Sequence, residues 1–156
     1  ANEKTNVMRL LDQAGIAYTP RYYDASLASG TEVAAALGQS AECVFKTLVA
    51  EANTGEHFVF VIPAPETLSL KKAAKAAGVK SIAMLPQKKL LPLTGYVHGG
   101  CSPVGMKKPF PTWIDETALL TDAFFCSAGR LGAQIGIDPE ALAGYIGAQF
   151  ADLTEE

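Results

Sequence analysis

The chain has 156 residues, 49% hydrophobic and 19% charged, a balance that excludes intrinsic disorder and is large enough to bury a core without disulfide staples. No run of about 18 apolar residues occurs and Ala1-Asn2-Glu3-Lys4 carries no signal-peptide pattern, so the expectation is a cytoplasmic protein without membrane contact, one domain over residues 1–156. The three cysteines, Cys43, Cys101 and Cys126, are odd in number and lack a C-x-x-C pair, which argues against a disulfide framework and a thiolate zinc site.

In chain order, Thr5 is placed to cap a helix carrying Val7, Met8, Leu10, Leu11 and Ala14 at helical spacing and ended by Gly15. Ile16 to Tyr23 reads as a strand broken by Pro20. A polar loop, Asp24 to Ser29, leads through Gly30-Thr31 to an alanine-rich helix from Glu32 to Leu37, closed by Gly38. Val44-Phe45-Lys46-Thr47-Leu48-Val49-Ala50 reads as a buried strand with a lysine where a core residue is expected. Alternation places Lys46 between Val44 and Leu48 on one face, with Phe45, Thr47 and Val49 on the other. A long cation is rarely buried unpaired, so its charge must reach water, a carboxylate or a ligand; an edge strand with a solvated lysine accounts for the pattern equally well. Asn53-Thr54-Gly55 then turns the chain into Phe58 to Ile62, completing a hairpin.

After Pro63-Ala64-Pro65, Ser69 to Ala77 is a predicted helix capped by Gly78, with Lys71, Lys72 and Lys75 roughly on one side. Ser81 to Leu85 reads as a strand and Pro86 to Leu91 as a short basic helix. Gly95 to Gly105 has too many glycines for a regular element and reads as a shaped loop following a short strand at Tyr96 and Val97. Thr112 to Ile114 and Ala123 to Cys126 are strands, Ser127 to Gly132 is a second glycine loop, and a strand through Ile135 and Ile137 precedes a helix from Glu140 to Gly147 with Asp138 as its cap and Pro139 at its first position. The fold class is α/β, a compact domain with a curved, partly barrel-like mixed sheet surrounded by helices.

The net charge of −3 hides an asymmetry. No Asp or Glu occurs from Thr67 to Ile114, while Lys71, Lys72, Lys75, Lys80, Lys88, Lys89, Lys107 and Lys108 put eight positive charges there. The remainder, with five basic and sixteen acidic side chains, carries −11. Such a tract suggests a positive face for an anionic partner, phosphate being the commonest, or an ordinary solvated lysine face.

Several enzyme signatures fail. Gly100-Cys101-Ser102-Pro103-Val104 misses the G-x-S-x-G elbow because the closing glycine comes late, at Gly105, and neither glycine loop carries a dinucleotide or P-loop fingerprint. His98 and Cys101 have ligand-like spacing without a second pair of ligands. Cys101 acting as a nucleophile with His98 as base is weaker than its reading as a small buried thiol. What remains is a strand lysine, two loops able to present backbone N–H groups to a developing oxyanion, and a basic tract, a set that suits ester cleavage on a phosphate-bearing substrate.

Four segments, Phe45-Lys46-Thr47-Leu48, Leu70-Lys71-Lys72-Ala73-Ala74-Lys75, Gly95 to Lys108 and Ser127-Ala128-Gly129-Arg130-Leu131-Gly132, resemble in that order the YbaK family. These are freestanding aminoacyl-tRNA deacylases related to the editing domain of bacterial prolyl-tRNA synthetase. The resemblance implies that fold, hydrolysis of cysteine misattached to tRNA(Pro), or of Cys-tRNA(Cys), and attack by the substrate's own thiol with release of a thiolactone. It implies that Lys46 positions the terminal adenosine and that Gly99, Gly100 and Cys101 offer N–H groups around the ester. Tyr23, Ser29, Thr47, Ser102 and Ser127 would bind substrate, and Lys71, Lys72, Lys75, Lys107 and Lys108 the tRNA. Charged tRNA and, transiently, prolyl-tRNA synthetase are the implied partners; no cofactor or metal is implied, and the oligomeric state is left open. This chain has Ser29 where relatives often have an aromatic residue, and Cys101 where they often have a branched aliphatic one. Two other readings use the same residues: a deacylase for another small amino acid such as alanine, and a module that binds charged tRNA or the synthetase without turnover.

Overall fold

The computed structural model describes residues 3–27 and 29–155; Ala28 of the polar loop and the ends of the chain lie outside the described residues. In order, the elements are α1 (Asn6–Ala14), β1 (Thr19–Tyr22), α2 (Gly30–Leu37), β2 (Phe45–Ala52), β3 (His57–Pro63), α3 (Leu70–Ala77), β4 (Ile82–Met84), α4 (Leu90–Thr94), β5 (Thr112–Asp115), β6 (Phe124–Ser127), β7 (Ala133–Ile137), α5 (Pro139–Ile146) and β8 (Gln149–Ala151). Local chemistry sets the helix ends. Hydroxyls of Thr5, Ser29 and Ser69 and the carboxylate of Asp138 accept N–H groups of the first turns of α1, α2, α3 and α5, and Gly15, Gly38, Gly78 and Gly147 close the same helices in the left-handed conformation.

The curved mixed sheet takes the form of two sheets. One is antiparallel, in the order β1-β7-β6; the other is mixed, in the order β4-β2-β3-β5-β8, with β5 parallel to both β3 and β8. They meet at a bridge between Val44 and Phe125 and do not close into a barrel. The two faces of the larger sheet have different partners. Phe45, Val49, Val59, Val61 and Ile114 pack inward against Val7, Met8 and Leu11 of α1 and against Phe124, Ile135 and Ile137 of the smaller sheet. Ala50, Phe58, Phe60, Ile62 and Trp113 form the other face, covered by Ala73 and Ala74 of α3 and by Leu153. Register pairs Lys46 with Ile62, Leu48 with Phe60 and Ala50 with Phe58, so Lys46 belongs to the α3 face while Thr47, opposite Val61, belongs to the inner one.

Several boundaries differ from the sequence reading. The strand placed at Ile16 starts only at Thr19, because the Ile16 N–H donates back to the Leu11 carbonyl in closing α1. The basic helix is split into a 3-10 turn, Gln87–Lys89, followed by α4. No strand forms at Tyr96 and Val97: the Tyr96 N–H donates to Thr94 Oγ1 and its phenol to the Val104 carbonyl, folding the segment onto its own loop. β8 and the 3-10 segment Glu116–Leu120 carry little alternation and went unread; buried Asp115 ties them together, accepting from Leu153 N–H and from Thr117. Among the described residues no helix is long and apolar enough to cross a membrane.

Candidate active site

The site begins where the larger sheet is incomplete. Val49 C=O accepts from Leu85 N–H, so the odd-numbered residues of β2 turn their backbone groups toward the β4 edge. β4 pairs only with Ala50, Glu51 and Ala52. By the same alternation Thr47 directs its N–H and C=O to that edge beyond the reach of β4. Along this edge lies a cavity of about 430 Å³, lined by Val44 to Leu48 of β2 and its lead-in, Tyr23 and Leu27, Ser29, Gly30 and Val33 of α2, Ala64, Leu90, His98, Gly99, Cys101, Ser127, Leu131 and Gln134.

Close packing shapes the walls. A Cβ on Gly30 would sit 2.2 Å from Ala64 Cβ, so only glycine lets the start of α2 approach the end of β3. The glycine loop enters through a turn in which Gly100 N–H donates to the Val97 carbonyl at 3.0 Å, with Gly99 at φ +86°. A positive φ at the third position alone is the mark of a type II turn, which favours glycine there. The turn presents His98 and Gly99 to the cavity. Gly100, buried against the backbone of Arg130 and Leu131, does not line it, and its amide is spent within the turn.

Of the sequence-predicted residues, Lys46, Thr47, Tyr23, Ser29, Gly99, Cys101 and Ser127 converge on this one cavity. Ser102 does not: it is wholly buried and its Oγ accepts from Val104 N–H, stapling the loop. Lys71, Lys72 and Lys75 lie on α3, and Lys72 is engaged with Asp152 at 3.0 Å and with the Thr154 carbonyl. Lys107 reaches the Pro92 carbonyl at 3.4 Å and packs over Gly95, while Lys108 lines a separate hollow with Phe110 and Tyr145. Neither lines the main cavity.

The electrostatics assign roles by elimination. Burial pulls Lys46 below the ordinary lysine pKa, and the opposing attraction of Glu66 is weaker. Burial pushes the Cys101 thiol up to about 12, with a smaller opposing effect from Thr94. A thiol so held is protonated at neutral pH and is a poor nucleophile. Ser127 Oγ accepts the Gly129 N–H at 3.1 Å in a local turn. Among the described residues no Asp or Glu lines the cavity. It therefore offers a half-buried cation, backbone amides and hydroxyls, without an activated protein nucleophile.

With this geometry in place, the relatives are informative. Residues 24–145 match the family of aminoacyl-tRNA editing domains. The chain belongs to that family. It is 43% identical over 156 residues to EbsC of Enterococcus faecalis (strain ATCC 700802 / V583), a protein named as a Cys-tRNA(Pro)/Cys-tRNA(Cys) deacylase, a match covering 97% of this chain and 94% of that one. Among solved structures it is similar to one described as a trans-editing enzyme for prolyl-tRNA synthetase, with TM-score 0.85, 27% identity, and coverage of 99% of this chain and 100% of the other. It is also similar to the hypothetical protein APE2540, with TM-score 0.89, 26% identity, and coverage of 97% and 100%. The activity of this editing domain is accordingly that of an aminoacyl-tRNA deacylase, and the fold expected from the resemblance is the one present. The cavity residues that sequence reasoning missed are mostly apolar, Leu27, Val33, Leu90 and Leu131, together with Gln134. Gln134 had a signal: it is an amide inside the apolar run Ala133-Gln134-Ile135-Gly136-Ile137.

Proposed function

We propose that this deacylase clears cysteine from tRNA(Pro), acting in trans beside prolyl-tRNA synthetase in the cytoplasm, and that the attacking group is the substrate's own thiol. The observation that supports this reading best is a cavity lined by a cation and glycine-loop backbone that supplies no activated nucleophile of its own. In the proposed step the cysteinyl sulfur, having given up its proton, attacks the carbonyl carbon. The ester bond to the terminal ribose breaks, a cyclic thiolactone leaves, and the ribose oxygen takes up a proton. Lys46 holds the terminal nucleotide by its phosphate or ribose, and the N–H groups of Gly99 and Cys101 face the carbonyl oxygen as its charge grows, a contribution of about 2.7–4 kcal/mol per donor in enzymes where one has been removed. Gly100 supports the loop instead. Lys71 and Lys75 of α3, on the same face of the sheet as Lys46, supply salt-sensitive attraction for tRNA phosphates.

The test is a comparison of deacylation rates on tRNA(Pro) charged with cysteine, serine, alanine and proline, and on Cys-tRNA(Cys). The expected result is rapid loss of cysteine and loss of serine at least about a hundredfold slower. Equal rates for cysteine and serine would remove the thiol mechanism while leaving the deacylase itself in place.

A further inference from the structure

Among the buried side-chain oxygen and nitrogen atoms of the described residues, two have no hydrogen-bond partner: Thr47 Oγ1 and Gln134 Oε1. Both residues line the main cavity, although they come from different sheets, Thr47 from β2 and Gln134 from β7. Gln134 is only 6% exposed. A buried acceptor without a donor forfeits its hydration for nothing in return, and such atoms are few in native proteins. Two of them in one cavity point to a ligand that brings the donors.

The chemistry of the missing group follows from what surrounds it. Oε1 of an amide only accepts, and a threonine hydroxyl can accept while its own proton turns elsewhere. Gln134 Oε1 therefore awaits a donor, and Thr47 Oγ1, unpaired in both roles, awaits a group that can donate to it or accept from it; an amine nitrogen does both. The cavity has no carboxylate to attract a cation, and its charged wall is the cation Lys46. Thr47 and Lys46 are neighbours in sequence, but alternation along β2 sends their side chains to opposite faces. An aminoacyl ester has a group at each end suited to this division: phosphate and ribose for Lys46, and a free α-amino group for the neutral acceptors. Ser127 is the register partner of Gln134 and shares its face, so the same wall continues toward the amino-acid side chain.

We infer that Thr47 Oγ1 and Gln134 Oε1 form the seat of the α-amino group of the aminoacyl ester. By fixing that group the seat sets the direction in which the amino-acid side chain points, and so acts in selecting the charged amino acid. The inference rests on the deacylase reading, and it extends the role of Thr47 and gives one to Gln134.

The experiment sets Cys-tRNA(Pro) against its N-acetyl derivative, whose nitrogen keeps one N–H and can no longer accept a hydrogen bond. The wild-type protein is expected to cleave the free-amine substrate at least about twentyfold faster in kcat/KM. Thr47→Val and Gln134→Leu should each reduce that discrimination by about tenfold, the loss of one hydrogen bond, whereas Thr47→Ser, which keeps the hydroxyl, should preserve it. Both apolar variants remove an unsatisfied polar atom, so their thermal midpoints should equal or exceed that of the wild type; this separates loss of the seat from loss of the fold. Binding of the non-hydrolysable amide analogue 3′-(cysteinylamino)-3′-deoxyadenosine and of its N-acetyl form, followed by calorimetry, gives the same comparison without turnover. A protein that hydrolysed no aminoacyl-tRNA would overturn the functional reading, yet tighter binding of the free amine, weakened by Thr47→Val and Gln134→Leu, would still support the seat. Equal handling of the two substrates by the wild type, or variants that weaken both substrates alike, would overturn it.

Discussion

The two halves of β2 are built from one hairpin strand and differ in what lies along their outer edge. From Val49 to Ala52 the strand is flanked on both sides, by β3 and by β4 with its extension at Leu85, and its side chains are buried with the exception of half-buried Glu51. From Phe45 to Leu48 its ladder partner is β3, with β6 touching only the start of the strand through the Val44–Phe125 bridge, and the strand carries a lysine and a threonine whose hydroxyl lacks a partner. The closed half spends its polar backbone on structure, as a buried ladder must; the open half leaves backbone and side-chain groups for a ligand. A sheet one short strand from completion is thus the device that turns a core element into a site. Substitutions at four positions test whether the halves are as separable as this implies.

The largest effect should come from the closed half. Phe58, opposite Ala50 and 4% exposed, packs edge-on against Trp113 with ring centroids 5.7 Å apart. Phe58→Ala is expected to lower the unfolding free energy by about 3–5 kcal/mol, measured by urea denaturation. At low temperature, where the protein stays folded, kcat/KM should remain within about twofold of wild type. A tenfold loss in the folded variant would mean that the two halves act as one unit.

The open half should respond in the opposite sense. Lys46→Ala is expected to reduce kcat/KM by about 10²- to 10³-fold, the scale of one lost transition-state contact, without lowering the thermal midpoint. Burial lowers the folded pKa of Lys46 below its usual 10.5. The unfolded chain therefore binds the proton more tightly, and Lys46 makes stability rise with pH between its folded value and 10.5, while below that window its charge is a cost. Lys46→Met should remove this alkaline rise and raise stability at neutral pH. A lower midpoint for Lys46→Met would show that the lysine is structural.

How much of this could be read from the sequence depended on whether a residue broke the pattern of its own element. Lys46 did, as a cation in an apolar run, and the caps Thr5 and Asp138 and the closing glycines Gly15, Gly38 and Gly78 were legible because capping is local chemistry. Gln134 broke its pattern in the same way. It passed unread because a neutral amide among apolar residues is a weaker anomaly than a charge. The division into two sheets was not legible, since it depends on where β4 stops pairing, which is a matter of three residues and their long-range register. Tyr96 and Val97 have the residue types of a strand, but a phenol bonded to the Val104 carbonyl overrides that preference. Ser102 and Gly100 lie in the motif that resembles the family, yet the turn uses Gly100's amide and the loop buries Ser102, so membership in a motif did not make them part of the cavity wall.

A smaller effect is expected at the turn that closes the open half. Gly99 lies at φ +86°, and a Cβ there would stand 2.9 Å from Leu131 Cδ2. Gly99→Ala should cost about 1–2 kcal/mol of stability for the left-handed backbone, and displacement of Leu131 should raise KM several-fold. Unchanged KM with the stability loss would show that the loop carries strain without shaping the cavity.

The smallest effect is expected at the residue that most resembles a catalytic group. Cys101 lines the open half, but burial holds its thiol at about 12. Cys101→Ala should therefore change kcat/KM by less than about threefold, and the pH dependence of the rate between pH 7 and 9 should match that of the wild type, whose Cys101 stays a thiol across that range. The stability signature has a definite sign. Since the folded pKa lies above the usual 9.0, the folded state keeps a proton that the unfolded chain releases, and stability falls as pH rises from about 9 to about 12. Cys126, wholly buried and likewise pushed up to about 12, contributes a fall of the same kind. Cys101→Ala should remove its share and leave that of Cys126, so alkaline unfolding becomes shallower without vanishing. A loss of activity near a thousandfold would instead make Cys101 the nucleophile, with its own sulfur forming the thioester, and would move the attacking group from the substrate to the protein.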